Sequence, residues 1–292
     1  MEVKLYRVLQ RLVLQVADIP RRKRQQFSDR DIVLVLIWAV LHDRPVCWAC
    51  TWENWSAGMD EELPSSATMS RRLRSVGVLQ LLDRLLTLLS EKFSHTHLVK
   101  AIDSKPLRVG HYSTDRDAKR GRAGGAMARG YKLHALTCDG IIRSWLLTSM
   151  NVNDQVPALA LLEQLQGSGY VGADNGYDAN KVHLKAESAG HQLVAPPRNS
   201  NKHVRDRRRN CGARIRSLEL CDSPLQACGQ RQWFGKAILA ERVSVERLFS
   251  QLCFDGLDAP PPWVRTPHRM AQWTAVKLLV RLLRQAQNAG LM

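Results

Sequence analysis

The spacing of hydrophobic positions changes near residue 98. Before that point Leu, Val and Ile recur at helical intervals. Phe27-Ser28-Asp29-Arg30-Asp31-Ile32 reads as a helix start. Ser28 can cap it, Asp31 sits at the third helical position, Phe27 can pack on Ile32, and the acids favour the positive end of the helix dipole. This helix is expected to reach about Leu41. Leu63-Pro64-Ser65-Ser66 begins another that stops near Gly77, and a third runs from about Leu79 to Phe93. Beyond residue 98 the apolar runs become short. Leu98 to Asp103 ends in an acid, and Tyr131 to Thr137 and Ile141 to Thr148 flank Cys138-Asp139-Gly140, a strong hairpin signal. Pro157 to Leu165 reads as a helix, Tyr170 to Ala173 as a strand ending in Asp174, and Asn180 to Ala189 as a helix closed by Gly190. His191 to Ala195 reads as a strand closed by Pro196-Pro197, and Phe234 to Cys253 as one long helix.

That order predicts an α/β protein with a mixed sheet and helices on its faces. It matches the element order of the ribonuclease H fold, preceded by an all-helical region. The expected division is a helical N-terminal domain over 1–95 and a ribonuclease-H-like domain over 96–292, with a basic insertion at about 197–232.

Charge narrows the class of partner. The 292 residues carry 43 Lys and Arg against 27 Asp and Glu, a net charge of +16. Such an excess calls for a polyanion, and phosphate neutralisation makes nucleic acid the expected one. The basic residues do not follow one amphipathic helix, which argues against a membrane surface. The longest apolar run, Ile32 to Leu41, is about half of a bilayer span. Glu2, Lys4 and Arg7 charge the start of the chain, so no secretory leader is expected and the protein is read as cytoplasmic. The seven cysteines are then expected to be reduced thiols. Cys47 and Cys50 lack a second ligand pair of similar spacing for zinc and read as small core residues beside Trp48, Trp52 and Trp55.

The acids at strand ends suggest chemistry. Asp103 and Asp174 close two strands that neighbour each other in a ribonuclease-H-like sheet, and Glu246 lies on a helix that can pack across it. Three carboxylates brought together resist ionising. Divalent cations resolve that repulsion and supply phosphodiester chemistry, and oxygen-only ligands suit two Mg²⁺ or Mn²⁺ ions. Taken singly, each acid is equally well a turn residue, a helix cap or a surface ion-pair partner.

The text around these acids resembles the DDE transposases of bacterial insertion sequences, of the insertion-sequence-four and -five type. Ala101-Ile102-Asp103-Ser104-Lys105 is similar to that family's first catalytic block. Gly130-Tyr131-Lys132-Leu133-His134, a hairpin and Asn153-Asp154 resemble the link to its second, Ala173-Asp174-Asn175-Gly176-Tyr177-Asp178. Pro196-Pro197-Arg198 resembles the strand end that follows, and Arg242, Glu246-Arg247, Phe249 and Leu252 the signature of the third acid. The resemblance covers about residues 98 to 280. It implies that Asp103, Asp174 and Glu246 are catalytic and bind the metals, and that Arg242 contacts DNA phosphate. It also implies a homodimer that holds two transposon ends. Leu239 and Cys253 stand where the family often has Tyr and a Lys or Arg, and Asn175 where a Lys or Arg is common.

Basic segments flank the proposed site in sequence. Lys105 to Lys132 and Arg198 to Arg216 each hold eight Lys or Arg. Lys105, Lys132 and Arg198 are therefore expected along the DNA path. Gly121, Gly124, Gly125 and Gly130 suggest that the first segment is a mobile loop, ordered on DNA. Arg71, Arg72 and Arg74 sit on a short helix that suits an atypical helix-turn-helix reader of terminal repeats, or equally a helical cap with its bases in solvent. Three functions stay open: a transposase that cuts transposon ends and joins them to target DNA, a nuclease that only cuts, and a domesticated transposase that only binds DNA.

Overall fold

The computed structural model describes residues 2–16, 26–55, 62–93, 97–198, 206–222, 224–227 and 230–292. In chain order the helices α1 (Glu2–Gln15), α2 (Asp29–Leu41), α3 (Ser66–Arg72) and α4 (Val76–Glu91) come first. Then follow β1 (Val99–Arg108), β2 (Lys119–Ala123), β3 (Ala126–Cys138), β4 (Ile141–Ser149), α5 (Gln155–Glu163), β5 (Gly169–Gly172), α6 (Asn180–Ser188) and β6 (His191–Val194). The chain continues through α7 (Gly212–Asp222), β7 (Pro224–Ala227), β8 (Gln230–Trp233), α8 (Phe234–Ala240), α9 (Val243–Phe254) and α10 (Pro267–Asn288). Two compact units result. One comprises Met1–Phe93, Tyr112–Asp115 and Asp255–Met292, and the other Ser94–His111 and Arg116–Phe254.

The helical unit is built around α2. Every residue from Ile32 to Val40 is buried, as expected of a helix that is apolar on all sides. Its start is the capping box expected from sequence: the Asp31 N–H donates to Ser28 Oγ at 3.2 Å and the Ser28 N–H to the Asp31 carboxylate at 2.6 Å. The Trp38 and Trp55 rings stack at 5.0 Å, with Tyr6 edge-on to both. Trp52 and Cys47 are exposed instead of buried, because this segment forms short 3-10 turns at the surface. α10 lays Trp273, Val276, Leu279, Val280 and Leu283 into this core and packs on α4 and α2. The expected division placed these C-terminal residues with the sheet, whereas here Asp255–Met292 groups with the N-terminal helices. The apolar stripe of α10 meets the buried leucines of α4. Three ion pairs fix it further, Lys277 to Asp43 at 2.7 Å, Arg281 to Asp255 at 3.0 Å, and Arg284 to the same Asp255. No described helix is long and apolar enough to cross a membrane.

The second unit carries a six-stranded sheet in the order β2-β3-β1-β5-β6, with β4 also paired to β3. β1 runs antiparallel to β3 and parallel to β5, and β5 runs parallel to β6. This is a ribonuclease-H-like mixed sheet. Ile102, Leu136, Val171 and Leu193 on one face meet Leu161 and Leu162 of α5 and Val182 and Ala186 of α6. The alternation of a strand turns Asp103 to the opposite face, where α9 packs on β1 and α8 on β5. Asp139 (φ 52°) and Gly140 (φ 71°) make the two-residue turn expected between β3 and β4.

Two expectations are corrected. The segment from Lys105 to Lys132 is not a loop throughout. β1 extends to Arg108, and β2 and β3 form a hairpin whose turn is Gly124-Gly125, both at positive φ (61° and 86°). Of the four glycines taken as a sign of mobility, Gly124 and Gly125 make this turn, while Gly121 and Gly130 lie within β2 and β3, where a Cβ would run into Met150 O and Leu107 O. The helix expected over 234–253 is two helices broken at Glu241-Arg242, where the backbone bonds tighten to Leu239 O and Glu241 O. Within the basic insertion α7 begins at Gly212, and residues 199–205, 223 and 228–229 lie outside the described ones.

Asp178 anchors that basic stretch. Arg214 grips its carboxylate with two bonds of 2.7 and 2.6 Å, His183 Nε2 lies 3.1 Å away, and the Arg198 N–H donates at 2.9 Å. Burial opposes its ionisation, but the bonds from His183, Arg214 and Arg198 outweigh that and hold its carboxyl at about 2. Asp178→Ala leaves Arg214 and His183 without their acceptor. It is expected to cost about 3–5 kcal/mol of unfolding free energy, measured by urea denaturation at neutral pH.

Candidate active site

The register of β1 and β5 aligns the first two acids. Ala101 pairs with Gly172, and Asp103 and Asp174 each lie two residues further on. Asp103 is inside β1, opposite Ala135 of β3, and one of its oxygens accepts the Ser104 N–H at 2.8 Å. Asp174 follows the end of β5 and caps a short 3-10 turn over Asn175–Tyr177, accepting the Gly176 N–H at 2.8 Å. Each acid therefore commits one carboxylate oxygen to a backbone N–H close to it in the chain.

Glu246 lies in the first turn of α9 and is mostly exposed. Between it and the sheet stands Arg242. One guanidinium nitrogen is 3.7 Å from Asp103 Oδ2 and 3.4 Å from Glu246 Oε1. Gly172 makes this approach possible. A Cβ there would meet Ile238 O at 3.2 Å and Arg242 Cγ at 3.4 Å, so a larger residue on β5 would push both away.

The electrostatics follow from this geometry. Burial pushes the Asp103 carboxyl up to about 6 from its ordinary 3.8. The Ser104 N–H and Arg242 work against the rise, and Asp174 and Glu246 add to it. Beneath the acids, Tyr177 is fully buried among Ile102, Leu136 and Val182. Burial raises its hydroxyl well above 10, and Asp103, Asp154 and Asp174 raise it further. The sequence names Tyr177 within the block around Asp174 and gives it no role of its own. Its signal was the Asn-Gly-Tyr run after Asp174, which turns the chain and drops the ring under the sheet end.

The remaining predicted residues separate into two groups. Lys132 is spent internally: its ammonium donates to Asp154 at 2.7 Å and Val152 O at 2.8 Å, beside a buried His134 whose imidazole burial lowers to about 4. Arg72 pairs with Asp29 at 2.7 Å and donates to Phe27 O at 2.6 Å. Neither cation is offered to a ligand in this arrangement. Arg71 and Arg198 are exposed. Lys105 lies two residues past Asp103 and reaches Cys253 Sγ at 2.9 Å, so an ammonium from β1 meets the thiol on α9.

The donor set suits a hard divalent cation: carboxylate oxygens only, with a positive guanidinium already drawn between two of them. Among the described residues, no three His, Cys, Asp or Glu side chains are gathered closely enough to hold a metal. Asp103 and Glu246 face the same cation, and Asp174 stands at the adjoining strand end.

A family model described as a transposase DDE domain matches residues 94–257, more than half of the chain and including all three acids. No curated protein and no solved structure matches the chain.

The burial of Asp103 has a pH signature. Its folded value is raised, so the folded state holds a proton that the unfolded chain releases near pH 4. Its contribution is neutral below pH 4, turns unfavourable as pH rises to about 6, and stays so above. Asp103→Asn is therefore expected to raise the stability of the metal-free protein at pH 8, by on the order of 2 kcal/mol. The gain should vanish at pH 4. Thermal unfolding at the two pH values in a chelating buffer measures it.

Proposed function

From the chain's membership of the DDE transposase family, whose members act on DNA and generally use divalent metals, we propose that it cleaves the ends of a transposable element and joins them to target DNA. The alignment of Asp103 within β1 and Asp174 just past β5, with Arg242 between Asp103 and Glu246, carries this reading. Asp103, Asp174 and Glu246 would hold two Mg²⁺ or Mn²⁺ ions. Such ions activate the attacking water or 3′-hydroxyl and take up charge on the leaving oxygen.

The residues of the chain do the rest. Asp103 and Asp174 each commit one oxygen to a backbone N–H, and the other oxygen of Asp103 faces Arg242. Glu246, being exposed on the first turn of α9, is the acid free to move toward them. Arg242 serves as a counter-charge until a phosphate arrives, and then turns to it. Lys105 and Arg198 extend the positive path of the strand. The same carboxylates serve both steps: the hydroxyl released by hydrolysis is the nucleophile of joining. The proposed setting is the cytoplasm, with transposon-end and target DNA as partners and a homodimer holding two ends.

A second reading is a protein that binds DNA without cutting it, favoured by the absence of three gathered ligands among the described residues. One experiment decides. DNA carrying the gene's own flanks is incubated with Mg²⁺ or Mn²⁺ and either the wild type or Asp174→Asn. Nicks at defined ends are expected from the wild type, reduced by at least about a hundredfold in the variant with DNA binding retained. A wild type that binds and never cuts with either metal overturns the transposase reading.

A further inference from the structure

The helical unit holds a cavity of about 970 Å³ that the reaction above leaves unused. Its interior is apolar, with Leu36, Met69, Leu73 and Trp273 among the lining side chains and Leu79 and Trp263 half-exposed at its edge. Its mouth is cationic. Arg44, Arg74, Arg265 and Arg269 all line it and are exposed. Asp43 is also there, but is taken up by Lys277 at 2.7 Å. No carboxylate pairs with Arg44, Arg74 or Arg269 among the described residues. An apolar interior under such a mouth selects a ligand divided in the same way, an apolar body joined to an anion.

Three observations narrow that ligand. The indole N–H of Trp273 is buried with no hydrogen-bond partner among the described residues, although the side chain lines the cavity. A buried donor needs an acceptor. The edge of a nucleobase supplies one, and an alkyl chain does not. Trp263 offers a half-exposed aromatic ring at the rim, the platform on which a base stacks. The N-terminal end of α10, a 22-residue helix, presents Thr266, His268 and Arg269 to the cavity. Its dipole and the arginines favour a phosphate there. The mouth is also held in shape. Thr266 sits at φ 75° with its N–H donated to Asp115 at 2.8 Å, and Arg265 is oriented by Pro262 O and Thr114 Oγ1, each at 2.9 Å.

We propose that this cavity takes an unpaired nucleotide of a DNA strand, with the base in the apolar interior and its phosphate among the arginines of the mouth. The proposal rests on the reading that the chain acts on DNA. It makes the helical unit a sensor of unpaired strand, distinct from the acids of the sheet. A duplex, whose bases are stacked and paired, cannot enter.

The test is fluorescence anisotropy with the full-length protein in a chelating buffer, so that metal binding and cleavage play no part. The probes are a labelled 12-nucleotide single strand and the same sequence as a duplex. Trp263→Ala and Arg269→Ala are each expected to weaken single-strand binding about tenfold, and to leave duplex binding within about twofold. Arg269 is exposed and its replacement does not threaten folding. Equal weakening of both probes would reduce the cavity to general basic surface, and unchanged single-strand binding in both variants would remove it as a site. Displacement of the strand from the wild type by an acidic, leucine-rich 12-residue peptide, with Trp263→Ala weakening the peptide more than the strand, would assign the cavity to a protein partner and overturn the proposal. Asp174→Asn is measured beside them and should bind the single strand as the wild type does, which separates this result from any failure of the cleavage reading.

Discussion

Like charge on two adjoining strands is the constraint on which the sheet unit depends. Parallel pairing of β1 with β5 leaves no freedom to separate Asp103 from Asp174 once the register is set. Burial adds to the difficulty and holds the Asp103 proton up to about 6. The surrounding structure answers with fixed dipoles and one cation. The backbone N–H groups of Ser104 and Gly176 take one oxygen from each acid, and Arg242 comes over the glycine of β5 to face Asp103 and Glu246. A site so arranged favours a nearby positive charge.

The break between α8 and α9 belongs to the same solution. A continuous helix from 234 to 253 would carry Arg242 and Glu246 on one rigid rod. The tightened turn at Glu241-Arg242 lets α8 pack on β5 while α9 packs on β1, and it sets the guanidinium between them. Missing the break in the sequence is understandable, since residues 234–253 contain neither Gly nor Pro after Gly235.

The excess of positive charge is not spread evenly over possible DNA contacts. Arg72, Lys132 and Arg214 are held by Asp29, Asp154 and Asp178, and each would leave a partly or fully buried carboxylate uncompensated if it turned outward. Arg71, Arg198, Arg207 and Arg208 are exposed. A count of Lys and Arg along the chain therefore points to a polyanionic partner without saying which cations meet it.

What the sequence determined by itself is local and periodic. The Ser28 capping box, the Asp139-Gly140 turn, the existence of the strands at the two acids and the helices between them follow from spacing and short-range sterics, which neighbouring residues decide; that β1 runs on past Asp103 to Arg108 was decided by its pairing with β3. The order of strands and helices then carried the fold, because a hairpin leading into two βα units has few ways to bury both faces of its sheet. Side-chain pairing was decided only in three dimensions. Nothing local distinguishes Gly124-Gly125 in a hairpin turn from Gly124-Gly125 in a mobile loop; the difference is a partner strand. Nothing in the text of α10 says that its stripe fits α4. Asp178 reads like any turn acid until Arg214, His183 and the Arg198 N–H converge on it from other elements. Burial and long-range electrostatics depend on what the rest of the chain brings near, and that is information a position in sequence does not contain.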